Sequence, residues 1–469
     1  MKKQIAKFSL FLICCISIIS ACNSSQNQSQ KLKNKSSIPA ETPPMGWNSW
    51  NCFAFETNEE VVKANADYMA KHLKEFGWKY IVVDMGWYYP LEMSTNDGHR
   101  VNPPHTIDEF GRLMPDVEKY PSSKGGKGFK PLADYVHSKG LKFGIHIMRG
   151  VPWDAVEKDM PVKSSDALPK DFAIHENLCE WNKSMKGVDA TKPGGQEYYN
   201  SLFELYAEWE IDYIKVDDIS RPYRQSEIEM IRKAIDNCGR DIVLSLSPGA
   251  TPLSAADHVS KHAQLWRISN DFWDHWKFVK RQLGYAQQWY PHIQSGSWPD
   301  LDMLPLGKLR VSGADEWVAG LLEDKYENIA NQFTRFTKDE QKTVMTLWAI
   351  FRSPLMFGGN LPENDEFTLS LLTNREVLQV NQHSKNNKEI SFENDISIWI
   401  ADDVNESGKY LAIINTSDEE RIIKIKLTDL GISQKVEVRD LWENTGKGST
   451  EKTIEIKIPA HGSILYSLK

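Results

Sequence analysis

The stretch Tyr213–Asp217 (YIKVD) is a short apolar run that ends in a carboxylate, a pattern typical of a buried β-strand. The amphipathic segment Glu197–Trp209 precedes it with helical spacing, and similar pairs of patterns recur along the chain. Repeated alternation of strand and helix predicts a parallel sheet with crossover helices. Over roughly 310 residues such a sheet favours an α/β fold that closes into a (β/α)8 TIM barrel, expected over residues 42–381. The other apolar runs are Met45–Trp50, Tyr80–Asp84, Lys142–Ile147, Ile242–Leu246, Gln264–Ile268, a weak one near His292–Trp298, and Phe351–Phe357.

The pattern changes after Asn381. Helical spacing disappears, and short alternating runs separated by turns take its place. This predicts a C-terminal antiparallel β-sandwich domain over residues 382–469. The runs are Ile390–Ala401, Tyr410–Asn415, Ile422–Leu427, Lys435–Asp440 and Ile454–Lys457.

The N-terminus is typical of a targeting segment. A basic start is followed by the apolar run Phe8–Ile19, which is too short to span a bilayer stably. The tetrad Ile19–Cys22 (ISAC) resembles a bacterial lipobox, so we expect cleavage before Cys22 and lipidation of its thiol. Residues 1–21 are then a signal peptide and residues 22–41 a flexible, lipid-anchored tether. The protein is expected to be exported and anchored to a membrane, periplasmic or at the cell surface; the alternative is an ordinary signal peptide that ends in Ala-Cys.

Composition and cysteine spacing limit the partners and bound groups that are expected for this protein. The chain has 469 residues, a net charge of −8 and a pI of about 5.9, which argues against nucleic acid as a partner. Cys14 and Cys15 would leave with the signal peptide, and Cys52, Cys179 and Cys238 show no CxxC spacing. The twelve His show no HExxH pattern. We therefore predict no metal site and no cofactor, whereas a disulfide among the three cysteines and the oligomeric state stay open.

Carboxylates stand where the apolar runs end. Asp84 and Asp217 close their runs, Asp302 lies beside a tight turn, and Asp271 follows Arg267 by four residues. An Asp at the end of a strand can simply cap the next helix. In a (β/α)8 barrel, however, catalytic groups lie at the C-terminal ends of the strands. The joint occurrence of these carboxylates therefore favours a catalytic role over helix capping.

Two carboxylates suffice to cleave a glycosidic bond through a covalent intermediate. Asp217 suits the nucleophile, because Lys215 shares its side of the strand and an ammonium favours the ionised form of a neighbouring carboxylate. Asp271 suits the acid/base, which must begin the reaction protonated.

The chain resembles glycoside hydrolase family 27, the family of α-galactosidases and α-N-acetylgalactosaminidases. The resemblance extends from Thr42 to Asn381 and rests on the order of six motifs. These are Pro43–Trp50 (PPMGWNSW), Tyr80–Trp87 (YIVVDMGW), Tyr213–Asp217 (YIKVD), Trp266–Asp271 (WRISND), Trp298–Met303 (WPDLDM) and Arg352–Met356 (RSPLM).

The resemblance implies a retaining exo-α-glycosidase, foremost an α-galactosidase that releases terminal α-linked galactose from oligo- or polysaccharides without a cofactor. It implies that Asp217 is the nucleophile and Asp271 the acid/base. The substrate-binding residues that it implies are Trp50 on the wall of the sugar pocket, Asp84 and Lys215 at sugar hydroxyls, Arg267 and Asp302 near C2, and Met303 in the lining.

Several positions depart from the family pattern. Met85 stands where a second Asp usually binds the far hydroxyls, and Ser247 stands where α-galactosidases often have a Glu near C2. His146 replaces a common Tyr, and we count both His146 and Ser247 among the substrate-binding residues. Ser247 and Ala250 resemble the N-acetylgalactosaminidase pattern, in which small residues leave room for an acetamido group.

These departures leave alternatives open. They are an α-N-acetylgalactosaminidase, an α-1,6-glucan hydrolase of the same family and, from another class, a non-catalytic surface glycan-binding protein. The segment Val151–Gly195 is longer than usual for the family. With Trp153, Trp181 and Met185 it is expected to form an extra wall on the side of the leaving group.

Overall fold

The computed structural model describes residues 39–93, 102–176, 179–313, 316–405 and 408–469. The predicted signal peptide, Cys22 and most of the predicted tether lie outside these residues. Within them, every helix is too short or too polar to cross a membrane.

Eight parallel strands of the described residues form the central sheet. They are β1 (Met45–Asn48), β2 (Tyr80–Val83), β3 (Lys142–Met148), β4 (Tyr213–Asp217), β5 (Val243–Leu246), β6 (Leu265–Arg267), β7 (Trp298–Asp300) and β8 (Leu355–Phe357). Each strand pairs with its neighbours in this order, and β8 pairs with β1. The ring closes beyond β7, where the Leu304 N–H donates to the Met356 carbonyl at 2.8 Å. The predicted (β/α)8 barrel is thereby confirmed.

Two predicted runs of the barrel differ from the observed strands by more than two residues at their start, and the others agree within two residues. Only the end of Phe351–Phe357 is a strand, because the preceding helix continues to Phe351 and ends at Arg352, whose φ is 61°. Pro354 then keeps the chain extended as it enters β8. The run near His292–Trp298 begins too early, since β7 starts at Trp298.

Helices surround the barrel and connect its strands. They are α1 (Glu59–His72), α2 (Lys130–Ser138), α3 (Gly195–Glu208), α4 (Gln225–Asn237), α5 (Ala256–His262), α6 (Trp276–Trp289), α7 (Lys338–Phe351), α8 (Glu366–Leu372) and α9 (Arg375–His383). Short helices span Trp50–Phe53, Trp153–Glu157, Pro169–Phe172, Glu316–Leu321 and Tyr326–Ile329. Local sequence fixes their starts: the Asn58 side chain accepts the Glu60 and Val61 N–H groups ahead of α1, and Thr337 and Glu340 form a capping box on α7.

Alternate residues of the barrel strands point into the barrel. The lower positions are apolar and pack together, and they include Tyr80 on β2 and Tyr213 on β4. Val82 continues the apolar positions on β2. The inward positions nearest the C-terminal ends of these strands are polar, with Asp84 after β2 and Lys215 and Asp217 on β4. The polar side chains therefore meet at one end of the barrel, above a plug of apolar side chains.

The C-terminal region forms two antiparallel sheets. Its strands are β9 (Ser384–Glu393), β10 (Ile396–Asp403), β11 (Lys409–Asn415), β12 (Arg421–Lys426), β13 (Val436–Asp440), β14 (Thr445–Thr450), β15 (Thr453–Ile458) and β16 (Ser463–Leu468). The larger sheet has the order β9-β10-β11-β16-β13-β14, and β12 pairs with β15. Apolar side chains of both sheets form one core, while Trp399 on the other face packs against Phe351 of α7. This confirms the predicted C-terminal β-sandwich.

Candidate active site

A cavity of about 620 Å³ opens at the C-terminal ends of the barrel strands. Nine of the ten sequence-predicted catalytic and substrate-binding residues line it: Trp50, Asp84, Lys215, Asp217, Ser247, Arg267, Asp271, Asp302 and Met303. His146 is the tenth, and it is fully buried behind Asp217. The other lining residues are Asn51, Met85, Glu180, Trp181, Arg221, Pro248, Asn270, Phe272, Trp273, Phe278, Arg281 and Leu321.

Asp84 lies at the closed end of the cavity and is held by three donors. The Lys215 ammonium lies 2.8 Å from its Oδ2, and the Asn48 amide donates to the same oxygen at 2.7 Å. The Met85 N–H donates to Oδ1 at 2.8 Å. Burial opposes ionisation, but the Lys215 charge outweighs it together with these hydrogen bonds, and the pKa of Asp84 falls well below its usual range. Asp84 is therefore an ionised hydrogen-bond acceptor at this end of the cavity.

Asp217 ends β4 with both of its oxygens contacted by the protein. The Nε2 atom of His146 lies 3.0 Å from Oδ2, and the Asp218 N–H donates to Oδ1 at 2.8 Å. These contacts fix the direction in which the carboxylate faces the cavity. The sequence predicts that His146 contacts the substrate. In the structure its ring contacts the carboxylate of Asp217.

Arg267 connects two carboxylates on the opposite wall. Its Nη1 lies 2.8 Å from Asp302 Oδ1, and its Nη2 lies 3.0 Å from Asp271 Oδ1. Asp302 is buried, and its Oδ2 accepts the Phe272 N–H at 2.8 Å. Burial raises the pKa of Asp302, with Arg267 opposing and Asp271 adding to the rise. The side chain of Asp271 is 31% exposed, so this carboxyl can reach both a bound substrate and water.

The remaining lining positions give the cavity its shape. Met85 is 1% exposed, and its sulfur lies 3.8 Å from the amide nitrogen of Asn182. Ser247 is equally buried, and its hydroxyl has no hydrogen-bond partner among the described residues. The cavity is thus apolar beside Asp84 and leaves a free hydroxyl at Ser247.

The long segment after β3 contributes part of the expected wall. Trp181 and its neighbour Glu180 line the cavity. Trp153 instead donates its indole N–H to the Pro103 carbonyl at 2.7 Å, and Met185 is buried in a short strand that pairs with Val151–Pro152.

Several other residues of the site were not predicted from the sequence. Asn48 lies inside the motif MGWNSW, so its position in the motif was the available signal. Arg221, Asn270 and Arg281 reach the cavity from loops and from α6, where spacing along a strand carries no signal. Among the described cysteines, Cys52, Cys179 and Cys238 are free thiols.

One cluster of possible metal ligands occurs among the described residues, away from the cavity. It consists of Asp134, His137 and Glu210 on the barrel exterior. The Lys130 ammonium contacts both carboxylates of this cluster. The lysine thus supplies the positive charge that a metal ion would bring.

Comparison with known proteins relates this architecture to a family of glycosidases. The family profile described as Alpha galactosidase A matches residues 42–154 and 182–322, and the profile of the α-galactosidase C-terminal β-sandwich domain matches residues 393–468. The chain is similar to a solved GH27 β-L-arabinopyranosidase from Geobacillus stearothermophilus, with 47% identity, a TM-score of 0.87, and coverage of 92% of this chain and 97% of that one.

Two further relatives carry other names. A solved candidate α-N-acetylgalactosaminidase from Bacillus halodurans C-125 is 44% identical, with a TM-score of 0.80 and coverage of 91% and 97%. Alpha-galactosidase 2 of Arabidopsis thaliana is 28% identical over 92% of this chain and 90% of its own length.

The carboxyl of Asp218 predicts a pH dependence of stability. Burial, with the nearby Asp217 charge, raises its pKa from 3.8 to about 6, although Arg149 opposes the rise. Between these values the folded state binds more protons than the unfolded state, so the free energy of unfolding falls as the pH rises through this window. The asparagine of Asp218→Asn does not titrate. We therefore expect the free energy of unfolding of this variant in urea to rise, relative to that of wild type, by on the order of 3 kcal/mol as the pH is raised from about 4 to 7. Asp241→Asn, at an exposed site, is the control, because its difference in free energy of unfolding from wild type should not change with pH. A difference that is also independent of pH in Asp218→Asn would contradict the prediction.

Proposed function

Because the chain belongs to glycoside hydrolase family 27, we propose that this glycoside hydrolase is a retaining exo-glycosidase for terminal sugars of galacto configuration, with β-L-arabinopyranosides as its preferred substrates. The observation that carries the preference is the buried thioether of Met85 beside Asp84 at the closed end of the cavity. A cavity closed at this end suits a single terminal sugar, which supports the exo mode of action.

The proposed reaction has two displacements at one carbon. Asp217 attacks the anomeric carbon as the glycosidic C–O bond breaks, and Asp271 gives its proton to the leaving oxygen. Asp271 then removes a proton from water, whose oxygen attacks the same carbon and releases the Asp217 carboxylate. Each cycle consumes one water, and the two inversions retain the anomeric configuration. Both carboxylates line one cavity, which supports this function over that of a non-catalytic glycan-binding protein.

The sugar preference follows from what Met85 can and cannot bind. β-L-Arabinopyranose has the ring hydroxyls and the anomeric geometry of α-D-galactopyranose, but it has a hydrogen where galactose has a hydroxymethyl group. A carboxylate beside Asp84 would accept a hydrogen bond from that group, whereas a thioether accepts such a bond only weakly. Asn182 contacts the sulfur of Met85, so the side chain fills this space in a fixed position. The 47% identical relative is named for the same pentose.

Two other substrates are second candidates, each with its own support. The names of the curated relatives favour α-galactosides, whose ring hydroxyls would meet the same Asp84, Lys215 and Arg267. The small Ser247, with its unpaired hydroxyl, favours N-acetylgalactosamine, in agreement with the name of the 44% identical relative.

A panel of nitrophenyl glycosides tests the preference. We expect kcat/KM for the β-L-arabinopyranoside to exceed that for the α-D-galactopyranoside by about 10-fold or more, the range that one extra carbon group produces in a tight pocket. Met85→Asp should shift this ratio towards the galactoside, and Met85→Leu, which keeps the site apolar, is the matched control. A galactoside preference in wild type, or equal shifts in both variants, would overturn the assignment of Met85.

Replacing each catalytic aspartate with asparagine, which has nearly the same shape, tests the two catalytic roles separately. Asp217→Asn should abolish turnover of every substrate, because the covalent step is lost. Asp271→Asn should still release a burst of dinitrophenol equal to the enzyme concentration, since this leaving group needs no acid, and then stall for lack of a base. Added azide should restore turnover of Asp271→Asn with a glycosyl azide of retained configuration. A glycosyl azide of inverted configuration from Asp271→Asn would instead identify Asp271 as the nucleophile and Asp217 as the acid/base.

We propose further that Cys22 carries a lipid anchor on an exported protein. The support is the lipobox-like tetrad Ile19–Cys22 and the polar stretch that follows it. Cys22→Ser should move the exported protein from the membrane fraction to the soluble fraction, whereas Cys15→Ser should leave it on the membrane. Equal membrane association of Cys22→Ser and wild type would contradict the anchor.

A further inference from the structure

We propose that Arg149 is a positioning residue, which holds Asp217 in its attacking orientation by clamping the neighbouring residue Asp218. The proposal rests on the proposed role of Asp217 as the nucleophile. Arg149 follows the end of β3, next to the strand that delivers Asp217. Within the described residues its side chain is not among those that line the cavity, so it acts through the backbone rather than on the substrate.

Arg149 makes three contacts with Asp217 and Asp218. Its own N–H donates to the Asp217 carbonyl at 3.1 Å. The guanidinium Nε donates to the Asp218 carbonyl at 2.6 Å, and Nη2 lies 2.8 Å from Asp218 Oδ2. The two peptide units around Asp218 are therefore held on both sides.

The clamp determines where the Asp218 N–H points. Asp218 has a φ of 57°, in the left-handed region that side-chain-bearing residues adopt infrequently. In this conformation its N–H donates to Asp217 Oδ1 at 2.8 Å. Because the chain on both sides of Asp218 is held in the barrel, a negative φ at Asp218 would require the peptide between Asp217 and Asp218 to rotate. This rotation would turn the N–H donor away from Asp217 and leave that carboxylate with its contact to His146. Arg149 thus stabilises an unusual conformation whose product is a hydrogen bond to the nucleophile.

Arg149 is itself fixed from behind. Its Nη1 lies 2.9 Å from Glu227 Oε1 on α4, and the Tyr199 hydroxyl on α3 donates to Glu227 Oε2 at 2.8 Å. The Tyr199 oxygen in turn accepts the Gly150 N–H at 2.9 Å. The side chains of Arg149, Asp218, Glu227 and Tyr199 are nearly or fully withdrawn from water.

Stability alone is a weak reason for such a cluster. Replacing buried ion pairs with apolar residues of similar volume is often neutral or stabilising, because burying the charges is costly. Helices and strands of a barrel pack well with apolar contacts alone. This cluster converges on Asp218, whose N–H donates to Asp217, and the orientation of the Asp217 carboxylate accounts for it.

The test is a double-mutant cycle between Arg149 and Asp217. Arg149→Lys keeps the charge, but one ammonium cannot hold the Asp218 carbonyl, the Asp218 carboxylate and Glu227 together. We expect kcat/KM for an aryl β-L-arabinopyranoside, or for an aryl α-galactoside if that is the better substrate, to fall by about 10- to 100-fold, as for a small misplacement of a reacting group. Inhibition by the free monosaccharide should change little.

The second arm removes the carboxylate that the clamp positions. In Asp217→Gly, azide supplied from solution replaces the nucleophile and gives a glycosyl azide of inverted configuration. Because azide is not attached to the clamped peptide, adding Arg149→Lys should leave the rescued rate unchanged. An equal loss in this background, or wild-type kcat/KM for Arg149→Lys alone, would overturn the proposal. Absence of inverted azide product from Asp217→Gly would instead show that Asp217 is not the nucleophile, so the two failures are distinguishable.

Two further variants guard against a simple folding defect. Glu227→Gln keeps the volume and weakens the support of Arg149, so it should give the same pattern with a smaller loss, and no loss would contradict the clamp. Arg112→Lys is the matched control, because Arg112 is a buried arginine that pairs with Asp108 and the Ser201 carbonyl away from the cavity. A loss of kcat/KM in Arg112→Lys as large as that in Arg149→Lys would assign the effect to general destabilisation.

Discussion

The Lys215 ammonium lies 2.8 Å from the Asp84 carboxylate at the closed end of the cavity, and the rest of the site depends on this buried pair. Burial alone would favour the neutral form of both groups. The pair reverses that tendency: the pKa of Lys215 rises and the pKa of Asp84 falls, in spite of the burial of each. Arg267 and Asp302 form a second buried pair on the opposite wall, in which burial outweighs the arginine charge and raises the pKa of Asp302. With these charges balanced, the barrel can carry a dense group of carboxylates at one end.

The period of two along a strand made most of this arrangement predictable from sequence. Tyr213, Lys215 and Asp217 share one side of β4, so the apolar residue packs in the barrel and the two charged ones reach its rim. The same reasoning placed Asp84 at the end of β2. The rule that catalytic groups of a (β/α)8 barrel lie at the C-terminal ends of its strands brought these side chains into one cavity before any distance was known.

Contacts between separate segments could not be predicted in this way. His146 follows the pattern of β3, but only the pairing of β3 with β4 shows that its ring meets Asp217 rather than the cavity. Asn182 contacts Met85 across almost a hundred residues of chain, and no local spacing encodes that approach. The end of α7 was misjudged for a related reason. Phe351 continues an apolar run, while the left-handed conformation at Arg352 and the following Pro354 separate helix from strand.

The carboxylates of the site differ in how they are held, and the difference matches their proposed tasks. Asp84 and Asp302 are each buried in direct contact with a cation, which suits groups that must stay in place. Asp271 also contacts Arg267, but its side chain is 31% exposed. A carboxylate paired in this way is a poor nucleophile, since the cation withdraws the electron density with which it would attack. The carboxylate of Asp217 instead contacts a histidine ring and a backbone N–H, and the charge of Lys215 acts on it without a direct ion pair. Two oriented donors fix the direction of this carboxylate without a direct ion pair, which is the balance that a nucleophile inside a buried and highly charged cavity requires.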